Sequence, residues 1–163
     1  MARVLIVGCG CRGRALASAL AAEGHTARGT SRRKAELPVI EGAGAEAVLA
    51  DPNRLATLTP HLEGAGVLCW LMGSASGDVE TVSALHGPRL QSMLETIVDT
   101  HVRGFVYEGE GTVTPSLRVG GAELVRRARA VYRMPTEVVG RHPSEHEAWL
   151  VETVAAVGRI LAA

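Results

Sequence analysis

Six residues near the amino end, Gly8-Cys9-Gly10-Cys11-Arg12-Gly13, place glycines at the spacing G-x-G-x-x-G. Each glycine has a distinct physical use. Gly8 permits a tight turn, Gly10 lets a pyrophosphate approach the backbone, and Gly13 lets a following helix pack closely on the preceding strand. Cys11 and Arg12 stand where that helix begins. Its free N–H groups and positive dipole end would face the phosphates. The run follows a strand-like segment and opens a helical one, which is the context the motif needs. Other users of glycine loops fit less well. The G-K-[ST] of a phosphate-loop nucleotidase is absent. A methyltransferase would carry acidic residues near the loop and after the second strand. A flavin enzyme would want a carboxylate after that strand and a longer chain.

The second informative stretch is Gly29-Thr30-Ser31-Arg32-Arg33-Lys34. An NAD site grips the ribose 2′-hydroxyl with an Asp or Glu about 20 residues beyond the glycines, but no carboxylate occurs here before Glu36. Thr30, Ser31, Arg32 and Arg33 offer hydroxyls and guanidiniums, the donors that a 2′-phosphate wants, so the cofactor expected is NADP. Asp51 either borders an adenine pocket or caps the turn before Pro52. Gly73 and Ser74 begin a loop of small residues after a strand, where ligands collect, and join the expected cofactor set. Tyr107 and Glu108 stand at the carboxyl end of another strand and are the only catalytic candidates.

Other reactive residues carry less. Cys9 and Cys11 form a C-x-C pair, a poor metal site by itself and readily explained as small residues in a tight turn. His142, Glu145, His146 and Glu147 match no complete metal motif, and no metal is expected. Arg126-Arg127-Ala128-Arg129 reads as a solvated helix face. His86 and Arg89 can face either the cleft or solvent.

The elements that must position these groups alternate between short β-branched runs and longer Ala/Leu-rich stretches. Strands are expected at Arg3 to Val7, His25 to Thr30, Glu46 to Ala50, Gly66 to Met72, Arg103 to Tyr107 and Thr136 to Val139. Helices are expected from Arg12 to Glu23, from Ser31 to about Ile40 with a break at Pro38, weakly from Leu55 to Leu62, from Ser83 to Val98, and from Gly121 to Tyr132. A last helix runs from Ser144 to Leu161. It would open with a Ser144/Glu147 capping box and bury Leu150, Val154, Val157 and Leu161. Six strands with intervening helices imply an α/β fold: a three-layer, doubly wound Rossmann arrangement around a six-stranded parallel sheet, order 3-2-1-4-5-6.

The 163 residues suit one domain spanning positions 1–163. Seventeen basic residues balance 17 acidic ones, which argues against nucleic acid or an acidic membrane surface as partner. No apolar run reaches the length of a membrane span, and the amino end does not read as a signal peptide. Three cysteines without a framework spacing suggest a reduced, cytoplasmic protein. With 47% apolar but only 3% aromatic residues, the core must be mostly Ala, Val, Leu and Ile.

Over nearly its whole length the chain resembles the short-chain dehydrogenase/reductase superfamily. The likeness is to its extended and atypical branch, the NAD-dependent epimerase/dehydratase and NAD(P)H-binding proteins. The resemblance is carried by the glycine run, Gly24-His25, Arg28-Gly29-Thr30-Ser31-Arg32, Asp51-Pro52 and Arg103-Gly104-Phe105-Val106-Tyr107. It implies cofactor contacts at Gly8, Gly10, Gly13, Thr30, Ser31 and Arg32, with Met72-Gly73-Ser74-Ala75 bordering the nicotinamide ribose. The family's Tyr-x-x-x-Lys pair has no counterpart. Tyr107 is followed by Glu108-Gly109-Glu110-Gly111, Tyr132 by Arg133-Met134-Pro135-Thr136, and Lys34 is the sole lysine. The substrate lobe of epimerases has no counterpart in these residues either. Two expectations follow. One is a degenerate oxidoreductase or epimerase acting on a small-molecule substrate, with a second copy in a homodimer supplying the missing cleft wall. The other is a non-catalytic protein, either NADP(H)-sensing or a structural Rossmann domain, that acts through a partner.

Overall fold

The computed structural model describes residues 1–163. Six strands, β1 (Arg3–Val7), β2 (Thr26–Ser31), β3 (Glu46–Leu49), β4 (Val67–Trp70), β5 (Gly104–Glu108) and β6 (Thr136–Val139), form one sheet in the order β3-β2-β1-β4-β5-β6. Every neighbouring pair is parallel, with Leu5 of β1 opposite Arg28 of β2 and Leu68 of β4. The expected class, topology and order all hold. A parallel sheet needs cover on both faces. Helices α1 (Cys11–Ala22), α2 (Leu37–Gly42) and α6 (His146–Ala162) cover one face, and α3 (Val79–Leu85), α4 (Pro88–Ile97) and α5 (Pro115–Tyr132) the other.

Side chains alternate between the faces along each strand. Leu5, Val7, Leu68, Trp70, Phe105 and Tyr107 pack with Leu85, Leu90, Leu94 and Val125. Val4, Ile6, Val67, Cys69 and Val106 pack with Leu16, Leu20, Trp149, Val157 and Ile160. Four of the five aromatics go to the middle: Trp70, Trp149, Tyr107 and Phe105 are the largest fully buried side chains, while Tyr132 is exposed.

Several helix boundaries differ from expectation, most of them at proline or glycine. Pro38 does not break a helix but opens α2, because proline's fixed φ and missing N–H suit a first turn. A 3-10 turn, Lys34–Glu36, precedes it. The expected helix from Leu55 to Leu62 is two 3-10 turns. The single helix expected from Ser83 to Val98 is two, interrupted at His86-Gly87 before Pro88. Helix α5 begins at Pro115, six residues earlier than expected, and carries Gly120 and Gly121 in its interior. Gly121 is there for packing, since a Cβ would collide with the Tyr107 hydroxyl.

The capping box does not form. Helix α6 starts at His146 behind Glu145 with no side-chain cap, and the Ser144 hydroxyl lies 2.8 Å from His142 Nδ1 instead. Its buried stripe is Trp149, Thr153, Ala156, Val157 and Ile160. The expected Leu150, Val154 and Leu161 lie at the margin of the core, while Val157 is fully buried. The bulk of Trp149 takes the inward direction, which turns the stripe by about one position. Val157→Asp should therefore cost roughly 3 kcal/mol or more by burying an unpartnered charge. That corresponds to a Tm drop of about 6 °C or more for a chain of this size. Val151→Asp, on the exposed side of the same helix, should leave Tm nearly unchanged. Thermal unfolding of both variants by circular dichroism checks the assignment.

Candidate functional site

Strand β1 ends at Val7, and the chain reverses through Gly8 at φ +87°, a conformation that disfavours any side chain. A Cβ at Gly8 would also strike Met72 and the Leu71 carbonyl. Gly13 sits where a Cβ would come 3.0 Å from the Gly8 carbonyl, so α1 lies close on β1. Gly10 is the N-cap of α1 and has no side-chain cap, and a Cβ there would meet nothing within 4 Å. No side chain at Gly10 covers the start of α1, and an uncapped helix terminus of this kind can receive an anion.

Strand β2 is tied to this turn. The Cys9 amide donates to the Thr30 carbonyl at 3.2 Å, and the Gly8 amide to Thr30 Oγ1 at 3.4 Å. Ser31 Oγ accepts from the Arg33 amide at 3.1 Å and so shapes the turn that follows. Neither the Arg32 nor the Arg33 guanidinium has an ion-pair partner within the chain.

These segments wall one cleft of about 370 Å³ at the carboxyl ends of the strands. Gly8, Cys9 and Gly10 form its floor, Thr30, Ser31, Arg32 and Arg33 one end, and Met72, Ser74, Ala75 and Ser76 the other wall. The expected cofactor residues Gly8, Gly10, Thr30, Ser31, Arg32, Arg33 and Ser74 all line it. Cys11 is exposed on α1, and Gly13 packs beneath the turn. Asp51 serves the turn, its Oδ1 accepting from the Asn53 amide at 2.9 Å, while Pro52 and Asn53 reach the cleft. Glu36, Thr81 and Leu85 line the cleft without having been expected there. Thr81 was legible in principle. Asp78 Oδ1 accepts from the Thr81 amide at 2.8 Å, an N-cap whose D-x-x-T pattern marks the start of α3. That bond holds the Asp78 carboxyl below its ordinary pKa. Glu36 carried no such signal; the 3-10 turn after β2 brings it back to the wall.

Arg12, Gly73 and Glu108 lie elsewhere and together, with Tyr107 apart from them. Glu108 is fully buried at the end of β5. Arg12 Nε and Nη2 donate to its two oxygens at 2.9 and 2.8 Å, and the Gly73 amide donates to Oε1 at 2.9 Å. The Arg12 guanidinium also lies 5.9 Å from the Trp149 ring centroid. Tyr107 is fully buried on the opposite face, its hydroxyl bonded to His86 Nδ1. Burial raises the Tyr107 pKa well above its ordinary value, with Glu108 adding to the rise and Arg118 opposing it. Neither catalytic candidate lines the cleft.

His86, left open between cleft and solvent, is buried. Its Nε2 lies 2.9 Å from the Met72 carbonyl, which can only accept, so Nε2 carries the proton and Nδ1 accepts from Tyr107. Burial holds the imidazole below its usual pKa, with the Met72 bond opposing and Arg118 adding to the shift. Cys9 and Cys69 are buried thiols, pushed up by desolvation to about 11 and about 12 respectively. No group of three or more His, Cys, Asp or Glu side chains is placed to hold a metal ion. No helix is long and apolar enough to cross a membrane.

No protein-family model matches the chain, and no curated protein sequence does. Solved structures do match. A short-chain dehydrogenase/reductase superfamily protein from Agrobacterium tumefaciens, solved with bound NAD, aligns at 22% identity and a TM-score of 0.67 over 83% of this chain and 48% of its own. The triphenylmethane reductase of a Citrobacter species, complexed with NADP(H), aligns at 16% identity and 0.61 over 84% of this chain and 48% of its own. BdcA from E. coli aligns at 14% identity and 0.71, over 95% of this chain and 90% of its own. The chain therefore has the fold shared by short-chain dehydrogenase/reductase and epimerase/dehydratase proteins, and it spans about half the length of the first two.

The neutral, buried His86 makes stability depend on pH. Its folded pKa lies below the 6.5 of the unfolded chain, so the unfolded state takes up the proton first on acidification. This contribution is intact above pH 6.5 and is lost as pH falls from there through the folded pKa. Tm should decline below about pH 6.5. The His86→Gln variant should show a shallower decline over the same range, measured by calorimetric scans between pH 7.5 and 5.

Proposed function

We propose that the chain binds a nicotinamide dinucleotide across this cleft and takes NADP(H) in preference to NAD(H). The observation that carries the reading is the meeting of the uncapped glycine turn at Gly8–Gly10 with the Thr30–Arg33 turn in one cavity. The pyrophosphate would lie on the first N–H groups of α1, over Gly10, where no Cβ intrudes. A 2′-phosphate would take Ser31 and the unpaired guanidiniums of Arg32 and Arg33. The other half of the ligand would run toward Met72, Ser74 and Ala75. The structural neighbours solved with NAD and NADP(H) support the use of this fold for such ligands. When bound, the cofactor supplies hydride transfer. The three free thiols support a reducing, cytoplasmic setting.

One charge-assisted hydrogen bond contributes roughly 1.5–3 kcal/mol. NADPH should therefore bind about tenfold to a few hundredfold more tightly than NADH. Arg32→Asp should narrow or reverse that ratio, because an Asp repels the phosphate and accepts the free 2′-hydroxyl. Arg126→Asp, on α5, should leave it unchanged. Glu36→Gln, which removes the one carboxylate from the cleft wall, should raise NADPH affinity by a few-fold. Calorimetric titrations at one salt concentration read all four, since the contact is screened. Equal affinity of the unaltered protein for NADH and NADPH would overturn the preference.

A second reading concerns chemistry rather than binding. Tyr107 and Glu108 are both enclosed by protein partners, and Tyr107 is held strongly protonated. This favours a cofactor-dependent binding or sensing module over a reductase with a tyrosine acid/base. Hydride exchange between labelled NADPH and a panel of simple carbonyls should proceed no faster with the protein than without it. Turnover lost in Tyr107→Phe would restore the enzymatic reading.

A further inference from the structure

One peptide unit at the rim of the cleft is held from both faces of the sheet. The Met72 carbonyl accepts from His86 Nε2 at 2.9 Å, and the Gly73 amide of the same peptide donates to Glu108 Oε1 at 2.9 Å. His86 belongs to the α3–α5 face, where its other ring nitrogen, Nδ1, bonds the Tyr107 hydroxyl. Glu108 points to the α1 and α6 side, where Arg12 of α1 holds both its oxygens. The Met72 carbonyl also accepts from the Ala75 amide at 3.2 Å. The next residues continue the clamp: the Gly73 carbonyl accepts from Val113 at 3.0 Å, and Ser74 Oγ from the Thr112 amide at 3.2 Å. Met72 and Ser74, on either side of Gly73, line the cleft.

We infer that Glu108 and His86 are positioning residues. They lock the Met72–Gly73 peptide and thereby pre-form the cleft wall opposite the Thr30–Arg33 turn. Arg12 acts through Glu108: it is withheld from the phosphates and instead joins the glycine turn to β5 and to that wall. A pre-formed wall spares the ligand the ordering cost of a loose loop. The effect belongs to whatever touches the wall, and not to the adenosine end. This rests on the dinucleotide reading of the cleft, and it assigns Glu108 a role unlike acid/base catalysis.

Two charge-free double variants isolate the one hydrogen bond. Replacing both members of a buried ion pair with uncharged groups of similar size tends to preserve folding. Arg12→Met with Glu108→Gln keeps an amide oxygen for the Gly73 N–H, whereas Arg12→Met with Glu108→Met leaves that N–H unpartnered. Each is titrated calorimetrically with NADPH and with adenosine 2′,5′-bisphosphate, which reaches the Thr30–Arg33 end and the glycine turn but not the Met72–Ser74 wall. The Met/Met variant should lose roughly tenfold in NADPH affinity and keep its bisphosphate affinity within about twofold. The Met/Gln variant should recover most of the NADPH loss. If Met/Met does not fold, His86→Leu with Tyr107→Phe releases the same peptide from the other face and must show the same selective loss. Losses equal for both ligands, or no loss, overturn the positioning role while leaving the dinucleotide reading intact. An unaltered protein that binds neither ligand overturns that reading, and this inference with it.

Discussion

A carboxylate with no exposure to water sits where three loops converge. Glu108 receives two N–H groups from Arg12 and one from Gly73. Removing either charged partner would strand the other beside the core, and such uncompensated charge is among the costliest defects a fold can carry. The glycine turn after β1, the loop after β4 and the end of β5 are therefore obliged to keep their relative positions. Those positions define the cleft. The pair also closes the carboxyl edge of the sheet on the α6 side, where Arg12 lies over Trp149, so the open cavity extends toward β2 and β3.

The opposite face supplies the matching restraint. Tyr107, His86 and the Met72 carbonyl form a buried chain of hydrogen bonds. The chain needs room for Tyr107, which the absent side chain of Gly121 provides. Adjacent residues of β5, Tyr107 and Glu108, point to opposite sides of the sheet and act on the two ends of one peptide. The alternation of a strand thus becomes a two-sided clamp on one wall of the cleft.

The cleft itself combines rigid and adaptable parts. Its floor is backbone, shaped by Gly8 and Gly13 and opened by Gly10. Its charged end is two exposed guanidiniums with no protein partner, free to adjust to an anion. That division suits a ligand whose phosphates demand fixed amides and whose terminal charge tolerates a mobile contact.

Local pattern was enough for the class of fold. Short apolar runs bounded by Gly, Pro and Asp are buried parallel strands because both faces must be covered, and all six lie within about two residues of where pattern puts them. The glycine spacing and the hydroxyl and arginine residues at Thr30–Arg33 likewise pointed to residues that line the cleft, since backbone approach and charge are written in residue types, but they gave no sign of Glu36. Tertiary structure decided the rest. Whether Pro38 ends or opens a helix, and whether Gly121 breaks or packs one, depends on what lies against it. Ser144 and Glu147 had a capping pattern, but the Ser144 hydroxyl pairs with His142 Nδ1 instead of capping α6. Arg12 was read as a site residue from its place in the glycine run, and Tyr107 and Glu108 from theirs at the end of a strand. Their side chains instead go to partners as many as 96 residues away in sequence, and no local pattern records such a partner. Which polar groups face the ligand and which hold the wall is a matter of burial and pairing across the sheet, and those exist only once the chain has folded.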